Sequence, residues 1–325
     1  MGAKVILCPG QGAQSVGMGR RWFETAPEAR DIFERADRLL AEIWRASPAT
    51  AALPRLSTVC FDGPADLLNR TDVSQPAIYT VSVACKLAAQ KMWADNWDGP
   101  ITGCAGLSLG EYTALHLAGC FSFEEGLRLV ALRGRAMQEA AEAVPSGMVA
   151  LIGADEAQAE AVCETVRGSD VLVCANFNAP GQVVVSGSKA ACERAVAQAE
   201  AAGLRATALP VAGAFHSPLM RPAAERLGAA LGAVGIREPG CPVLSNVTGR
   251  PHQPEPDVTM GESIRRRLVE QLTSPVRWSA CCQWLAANAS GEFVELAPGK
   301  TLSGLMRRID RATKVQSYDE PLPIP

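Results

Sequence analysis

The order of apolar and polar positions along the chain predicts a mixed α/β protein. Short apolar runs predict buried strands at residues 4–8, 101–105, 242–246 and 292–296. Apolar positions spaced three and four apart predict helices over residues 20–45, 74–94, 111–118, 122–143, 259–272 and 300–309. Strands that alternate with helices are typical of a parallel sheet covered by helices. We therefore expect a large subdomain with a parallel sheet at its core.

A separate pattern covers residues 146–211. Strands are predicted at 148–152, 171–177, 182–186 and 205–211, with a helix after the first and another after the third. This βαββαβ order is that of a ferredoxin-like subdomain inserted into a larger domain. We expect a large subdomain formed by residues 1–145 and 212–310, followed by a tail at 311–325. The tail ends in alternating prolines, which neither continue a helix nor pair inside a sheet, so the tail is predicted to be disordered.

Composition and charge narrow the class of protein. The 325 residues are 48% hydrophobic, with a mean hydropathy of +0.06, which is typical of a globular protein with a sizeable core. The net charge of −3 provides no general attraction for nucleic acid or for an anionic membrane. No apolar stretch reaches the length of a membrane span, and no signal-peptide pattern is present. The eleven cysteines include no Cys-x-x-Cys pair, so we expect reduced thiols in a cytoplasmic protein.

A Gly-x-Ser-x-Gly pattern at residues 106–110 places Ser108 between a predicted strand and a predicted helix. The two glycines let the chain turn sharply, so that the serine hydroxyl stands at the end of the strand. The first N–H groups of the helix are free to stabilise an oxyanion. Ser108 is therefore a candidate nucleophile for acyl transfer, and the large subdomain is expected to be α/β-hydrolase-like.

Three histidines are candidates for the base that a serine nucleophile needs. His116 lies on the helix after the serine and is expected to pack within the fold. His252 lies in a proline-rich loop and is expected on the surface. His216 precedes a helix start capped by Ser217, as an active-site loop residue would, and is the preferred base. Esterases of the α/β-hydrolase class carry an acid and then a histidine near the C-terminus, after the serine. No histidine follows His252 here, so the order of catalytic residues is wrong for an esterase of that class.

Eight short motifs occur along the chain in one order. They are PGQGAQ at 9–14, GLSLGEY at 106–112, RGRAMQ at 133–138, NAPGQ at 178–182, AFHS at 214–217, SNVTG at 245–249, QLTSPVRW at 271–278 and ELAPGK at 295–300. In this order they resemble the malonyl-CoA:acyl carrier protein transacylase family over residues 4–310. One departure is Leu107, where bacterial members often have histidine.

The resemblance implies roles for five residues in catalysis. Ser108 is the nucleophile and His216 its base, and Gln271 orients the imidazole. A neutral partner such as glutamine leaves the histidine less basic than a carboxylate would, and we hypothesise that this moderates hydrolysis of the acyl-enzyme. The main-chain N–H groups of Gln11 and Leu109 are expected to form the oxyanion hole.

The resemblance also implies residues that select the substrate. Arg133 is expected to pair with the free carboxylate of a malonyl group, because a planar guanidinium can bind a carboxylate through two hydrogen bonds. Phe215 is bulky where a small residue would leave room for an α-methyl branch, which favours malonyl over methylmalonyl. Asn178 is expected to line the cleft.

The implied reaction is a ping-pong transfer. Ser108 takes the malonyl group from coenzyme A, and the thiol of an acyl carrier protein removes it. The coenzyme A thioester is a substrate, and no cofactor, metal, nucleic acid or membrane is expected to take part. We expect a monomer. Carrier proteins in this role are acidic, so Arg265–Arg267, or Arg307 and Arg308 with Lys300, are candidate docking surfaces.

Three other interpretations stay open. A trans-acting acyltransferase of a polyketide synthase would use the same chemistry with a different carrier protein. An acyl-thioester hydrolase is disfavoured by Arg133 and by the lack of a C-terminal acid and histidine. A non-catalytic module with the same fold is disfavoured because Ser108, His216 and Arg133 are all present.

Overall fold

The computed structural model of the chain describes residues 2–321, apart from the side chains of residues 95 and 96. The strands are β1 (Lys4–Cys8), β2 (Ile101–Gly106), β3 (Ser146–Ile152), β4 (Leu172–Ala179), β5 (Gln182–Ser188), β6 (Arg205–Ala208), β7 (Glu292–Leu296) and β8 (Val315–Tyr318). The helices are α1 (Arg20–Thr25), α2 (Pro27–Arg45), α3 (Leu56–Asp62), α4 (Ala65–Asn69), α5 (Thr71–Met92), α6 (Ala94–Trp97), α7 (Gly110–Leu117), α8 (Phe123–Ala143), α9 (Glu156–Val166), α10 (Lys189–Ala201), α11 (Arg221–Gly232), α12 (Met260–Glu270), α13 (Trp278–Asn288) and α14 (Thr301–Ile309). A 3₁₀ turn over Pro218–Met220 precedes α11.

The first sheet is parallel, in the order β2–β1–β7–β8. All five residues of β1 are buried. Ile6 and Cys8 join one apolar cluster, whereas Val5 and Leu7 join another. Successive side chains of a strand point to opposite faces, so both faces of this sheet are covered. A strand buried on both faces needs apolar residues throughout, which explains the continuous apolar run.

The second sheet is antiparallel, in the order β4–β5–β3–β6, with α9 and α10 packed against it. The chain order β3-α9-β4-β5-α10-β6 is the predicted βαββαβ pattern. Its apolar side chains, among them Leu151 and Val185, form a cluster of their own. The predicted fold class, a large parallel α/β unit with a ferredoxin-like insertion, is confirmed. The limits of the insertion at residues 146 and 211 stay a prediction.

Some predicted elements differ in detail. The helix predicted over residues 20–45 is interrupted at Ala26, and Pro27 begins α2, because proline suits the first turn of a helix. The strand predicted at residues 242–246 makes only isolated bridges, of which one joins Val243 to Cys104.

The predicted disorder of the tail is wrong for residues 315–318, which form β8. This strand pairs in parallel with β7, from Phe293 with Val315 to Leu296 with Tyr318. Tyr318 is buried, and its ring lies near the indole ring of Trp97, with 5.3 Å between centroids. The open edge of β7 and this aromatic contact order a segment whose own sequence predicts no element. Residues 322–325 lie outside the described residues, so the predicted disorder there stays a prediction.

The parallel sheet brings two loops to one edge. β1 and β2 pair in register from Val5 with Gly103 to Cys8 with Gly106. The loops that follow both strands therefore leave the sheet side by side, as is usual for sites in parallel α/β folds. Within residues 2–321, none of the helices has the length and apolar character that crossing a membrane requires.

Candidate active site

Ser108 lies in a sharp turn between β2 and α7, with a φ of 52°. This left-handed conformation is uncommon for serine, and the main-chain N–H is held by the Oδ1 atom of Asn246 at 2.7 Å. Close packing requires the flanking glycines. A Cβ atom on Gly106 would lie 1.8 Å from the carbonyl carbon of Gly110, and one on Gly110 would lie 2.2 Å from the oxygen of Cys8. The pattern at residues 106–110 therefore forms the predicted elbow.

The His216 ring lies against this serine. The Oγ atom of Ser108 and the Nε2 atom of His216 are 2.8 Å apart. The Nδ1 atom of His216 lies 2.8 Å from the main-chain oxygen of Gln271. Because a carbonyl oxygen only accepts, we assign the hydrogen to Nδ1, which leaves the lone pair of Nε2 facing the serine hydroxyl. The arrangement suits removal of the hydroxyl proton.

Gln271 contacts the imidazole through its main chain and not through its side chain. The side-chain Nε2 atom donates to the Ser108 carbonyl at 3.0 Å and to a Glu111 carboxylate oxygen at 2.6 Å. The Oε1 atom accepts from Arg133 at 2.9 Å. The partner of the imidazole is the main-chain carbonyl of Gln271, which is neutral, as the hypothesis requires. A Gln271→Glu substitution changes only the side chain and would leave this carbonyl in place.

Burial, together with the positive charge of Arg133, lowers the pKa of His216 from its usual value of 6.5 to about 4. The Gln271 carbonyl acts in the opposite direction, since it stabilises the protonated ring. The imidazole is therefore neutral at physiological pH, in the form that accepts a proton.

This pKa predicts how Ser108 reacts with a neutral serine reagent, phenylmethylsulfonyl fluoride, as the pH changes. We expect the inactivation rate to be constant above about pH 5 and to fall as the pH drops through about 4. The rate is measured after a rapid pH jump, because the folded protein loses stability as the pH falls from 6.5 to 4. In this range His216 takes up a proton in the unfolded chain but not in the folded protein. A fall of the rate centred near pH 6.5 would contradict the prediction.

Arg133 is buried on α8, with 1% of its surface exposed. Its Nη1 atom donates to Gln75 at 2.8 Å, and Nη2 donates to the Ser108 hydroxyl at 3.0 Å and to Gln271. Its Nε atom has no partner, and no carboxylate pairs with it, among the side chains that the structure describes. Burial lowers the pKa of this guanidinium. A buried cation without a direct anionic partner is costly, and its position marks a site for an anionic ligand.

The two predicted oxyanion donors flank the serine. Gln11 lies in the loop after β1, and Leu109 directly precedes α7. Over residues 2–321, neither main-chain N–H donates a hydrogen bond. For Leu109 this follows from the helix start, where the first N–H groups lack a partner within the helix.

A cavity of about 440 Å³ opens beside the pair of serine and histidine. Five of the predicted residues line it: Gln11, Ser108, Asn178, Phe215 and His216. Apolar residues such as Met148 and Val211 form much of the remaining wall. The predicted residues that do not line the cavity are Leu109, Arg133 and Gln271, which are buried behind it.

The prediction for His252 is wrong. Its side chain is buried, and its Nε2 atom lies 2.8 Å from a Glu111 carboxylate oxygen. Sequence reasoning also missed Glu111 and Asn246, although both lie within the quoted motifs. Only the folded chain brings these three residues together. The prediction for His116 is confirmed, since its Nδ1 atom lies 3.0 Å from the Phe121 carbonyl, away from the serine.

Comparisons with known proteins show which family the chain is similar to. The acyl transferase domain family matches residues 5–318. The chain is 37% identical over 318 residues to a malonyl CoA-acyl carrier protein transacylase of Escherichia coli strain K12, covering 97% of this chain and 96% of the relative. The crystal structure of the malonyl-CoA:acyl carrier protein transacylase from Xanthomonas oryzae has a TM-score of 0.87 and 38% identity, covering 98% of this chain and 95% of that one. A malonyl-transacylase in complex with a type II polyketide acyl-carrier protein has a TM-score of 0.86 and 34% identity, covering 98% and 96%.

Proposed function

Because the chain belongs to the acyl transferase family, among the malonyl CoA-acyl carrier protein transacylases, we propose that it transfers a malonyl group from coenzyme A to the pantetheine thiol of an acyl carrier protein. The transfer supplies fatty-acid synthesis. One observation carries the proposal. The Ser108 hydroxyl lies between the imidazole of His216, at 2.8 Å, and the guanidinium of Arg133, at 3.0 Å.

In the first half of the reaction, Ser108 attacks the malonyl thioester. His216 accepts the hydroxyl proton as the bond from Oγ to the carbonyl carbon forms. The N–H groups of Gln11 and Leu109 stabilise the negative charge on the carbonyl oxygen. The bond from carbon to sulfur then breaks, and His216 returns the proton to the leaving thiolate of coenzyme A.

In the second half, the thiol of the carrier protein attacks the ester on Ser108. His216 accepts the thiol proton and gives it to the departing serine oxygen, which restores the enzyme. These steps use only groups of this chain and the two thiol partners, so we propose that the reaction needs no further cofactor or metal.

The selection of malonyl rests on the buried guanidinium. A malonyl ester on Ser108 extends its free carboxylate toward Arg133. The Nε–H has no protein partner among the described residues, and acylation of the Ser108 hydroxyl that Nη2 contacts frees one Nη2 hydrogen for a second bond. Hydrogen bonds to Gln75 and Gln271 hold that side chain in place. An acetyl group lacks the carboxylate and gains nothing from this site.

Intact-mass measurement of the protein after mixing with malonyl-CoA tests the proposal. A stable malonyl adduct that a pantetheinylated carrier protein removes supports transfer, and Ser108→Ala should form none. An adduct that decays at the same rate with and without the carrier protein would instead identify a hydrolase. Absence of any adduct on the wild-type protein would refute both.

A second candidate function is that of a trans-acting acyltransferase in polyketide synthesis. It is favoured by the similarity to the transacylase solved with a type II polyketide carrier protein. The chemistry at Ser108 would be the same. Rates of malonyl transfer to a fatty-acid carrier protein and to a polyketide carrier protein separate the two functions.

A basic groove at α14 is the surface that we propose for the acidic carrier protein. Its volume is about 520 Å³, and it is lined by Arg307, Arg308, Arg311 and Lys314. None of these four forms an ion pair with a described acidic side chain. The other predicted surface, Arg265–Arg267, is neutralised by Glu255, Glu262 and Glu270. Lys300 directly precedes α14 as its N-cap residue but does not line the groove.

We expect the double substitution Arg307→Glu and Arg308→Glu to raise the KM for the carrier protein by about tenfold at low salt. The rate of Ser108 acylation by malonyl-CoA should stay the same, because the groove does not include the serine. Steady-state transfer at several carrier concentrations measures the effect, with Arg266→Glu as the control. An unchanged KM for the carrier protein would rule out this surface.

Phe215 lines the cavity beside His216, with 6% of its surface exposed. We propose that it limits the space for an α-methyl branch. Phe215→Ser should raise the ratio of kcat/KM for methylmalonyl-CoA to that for malonyl-CoA by about tenfold, the value of one methyl group in a pocket. Competition between the two thioesters measures this ratio, and an unchanged ratio would contradict the role.

Two further features concern the protein's state. We propose a monomer, and sedimentation equilibrium tests this. We also propose that the protein works in the cytoplasm, a reducing compartment. All eleven cysteines are free and ten are buried, which supports this location.

A further inference from the structure

A buried carboxylate lies beneath the site without a part in the reaction described above. Glu111 is in the first turn of α7, and none of its surface is exposed. Its Oε1 atom lies 2.8 Å from the Nε2 atom of His252. Its Oε2 atom accepts from Gln271 at 2.6 Å and from the main-chain N–H of Asn246 at 3.1 Å. A buried carboxylate with these partners is fully hydrogen-bonded, but none of them is a cation in direct contact.

His252 contacts Glu111 as a hydrogen-bond donor. Its side chain is buried, and its Nδ1 atom has no partner among the described residues. Because a carboxylate oxygen only accepts, we assign a hydrogen to the Nε2 atom, which donates to Glu111. The nearest charge that the site offers Glu111 is that of Arg133, on the other side of the Gln271 amide.

The Gln271 amide separates the two buried charges. A carboxylate only accepts hydrogen bonds, so the amide nitrogen of Gln271 must face Glu111. Its oxygen then faces Arg133, which can only donate. The order of carboxylate, amide and guanidinium is therefore set by donor and acceptor chemistry at both ends.

We propose that Glu111 is a positioning residue that fixes the Gln271 amide, whose oxygen holds Arg133, and that it offsets the charge of Arg133 without binding the guanidinium directly. This inference rests on the proposed function of Arg133. A carboxylate in direct contact would compete with the malonyl carboxylate for the same donors. A carboxylate that lies one amide further away still offsets the charge of Arg133, because the Coulomb energy falls only as the inverse of the distance.

The first test is Glu111→Gln, which keeps the shape and removes the charge. In this variant the amide at position 111 has only one acceptor oxygen for the donors from His252, Gln271 and Asn246. The Gln271 amide therefore loses its fixed orientation. We expect the preference in kcat/KM for malonyl-CoA over acetyl-CoA to fall by about tenfold or more, with the larger change in the KM for malonyl-CoA. Phenylmethylsulfonyl fluoride has no carboxylate for Arg133 to bind, so its inactivation rate, measured well above the pKa of His216, should change less than threefold.

The second test exchanges the two groups, as Glu111→Gln together with Gln271→Glu. The double variant keeps the net charge and one hydrogen bond between an amide and a carboxylate at positions 111 and 271. It can therefore test the proposal if the single variant does not fold. The carboxylate now lies directly against Arg133. We expect malonyl selectivity to fall at least as far as in the single variant. Wild-type selectivity in either folded variant would overturn the inference.

Glu295→Gln provides the matched control. Glu295 is another fully buried carboxylate, and it accepts from the N–H groups of Leu302 and Ser303 at the start of α14. Its loss should lower the midpoint of thermal unfolding without changing the ratio of malonyl to acetyl transfer. An equal loss of selectivity in this control would show that Glu111 acts only through stability.

The failure of this inference can be told apart from a failure of the proposed function. If the wild-type protein forms no malonyl adduct, the proposed function fails and this inference fails with it. If the wild-type protein forms the adduct and Glu111→Gln keeps its preference for malonyl, only the inference fails.

Discussion

Replacing His216 with alanine is expected to slow acylation of Ser108 by malonyl-CoA by about a hundredfold to ten-thousandfold, the usual value of a general base. The imidazole lies 2.8 Å from the hydroxyl, and no other histidine lies within hydrogen-bonding distance of that oxygen among the described residues. Without it, the hydroxyl must lose its proton to water in a site that is largely buried. Rapid-quench intact-mass measurement gives the acylation rate directly.

His116→Ala is the control for this prediction. His116 lies on α7, the same helix that follows the nucleophile, but its ring contacts the Phe121 carbonyl and packs near Tyr79. Its loss should leave the acylation rate within about threefold of the wild-type value, because surrounding packing alone changes. A His216→Ala protein that acylates within tenfold of the wild-type rate would show that another group accepts the proton.

Replacing Arg133 with alanine is expected to lower kcat/KM for malonyl-CoA by about tenfold to a hundredfold, which corresponds to about 1.5–3 kcal/mol for a charged hydrogen-bonded contact. The value for acetyl-CoA should fall much less, since an acetyl group has no carboxylate for the guanidinium to bind. The preference therefore moves toward acetyl and longer monoacyl thioesters. Competition between malonyl-CoA and acetyl-CoA, read as the two adduct masses, measures the change.

Arg128→Ala is the matched control, because Arg128 lies on the same helix with its side chain exposed. It should leave the preference for malonyl unchanged. Arg133→Lys should not restore that preference, since a single ammonium cannot reproduce the paired donors of a guanidinium. Strict malonyl selectivity in Arg133→Ala would refute the role of this residue in substrate selection.

The two predictions are coupled through charge. The positive charge of Arg133 is one cause of the low pKa of His216. Removing it should move the acid limb of the inactivation rate to higher pH, in the direction of the usual value of 6.5. The guanidinium thus contributes both to binding an anionic substrate and to keeping the neighbouring base unprotonated.

The local sequence was sufficient to predict the elements whose structure depends on residues close to them in the chain. The continuous apolar run at residues 5–8 forms most of a strand that is buried on both faces. The glycines of the elbow are required by backbone contacts within a few residues of Ser108 and by the adjacent strand. The capping box at Ser122 and Glu125 begins α8, as its spacing predicts. These features follow from the period of the apolar positions and from turn chemistry.

Other features depended on contacts between residues far apart in the chain. The strand β8 exists because β7 has an open edge, and its own residues show no strand pattern. His252 was predicted on the surface because its loop is rich in proline, yet Glu111 binds it in the interior. In both cases the partner lies outside the segment whose sequence was being interpreted.

The sequence by itself therefore determined the fold class through local periodicity, and an ordered set of motifs identified Ser108 and His216, but not Glu111 or Asn246. Only the tertiary structure decided how these residues are connected. It made the main chain of Gln271 the partner of the imidazole, and it set the Gln271 amide between Glu111 and Arg133. Hydrogen-bond direction and burial define those connections, and both arise only once distant segments pack together.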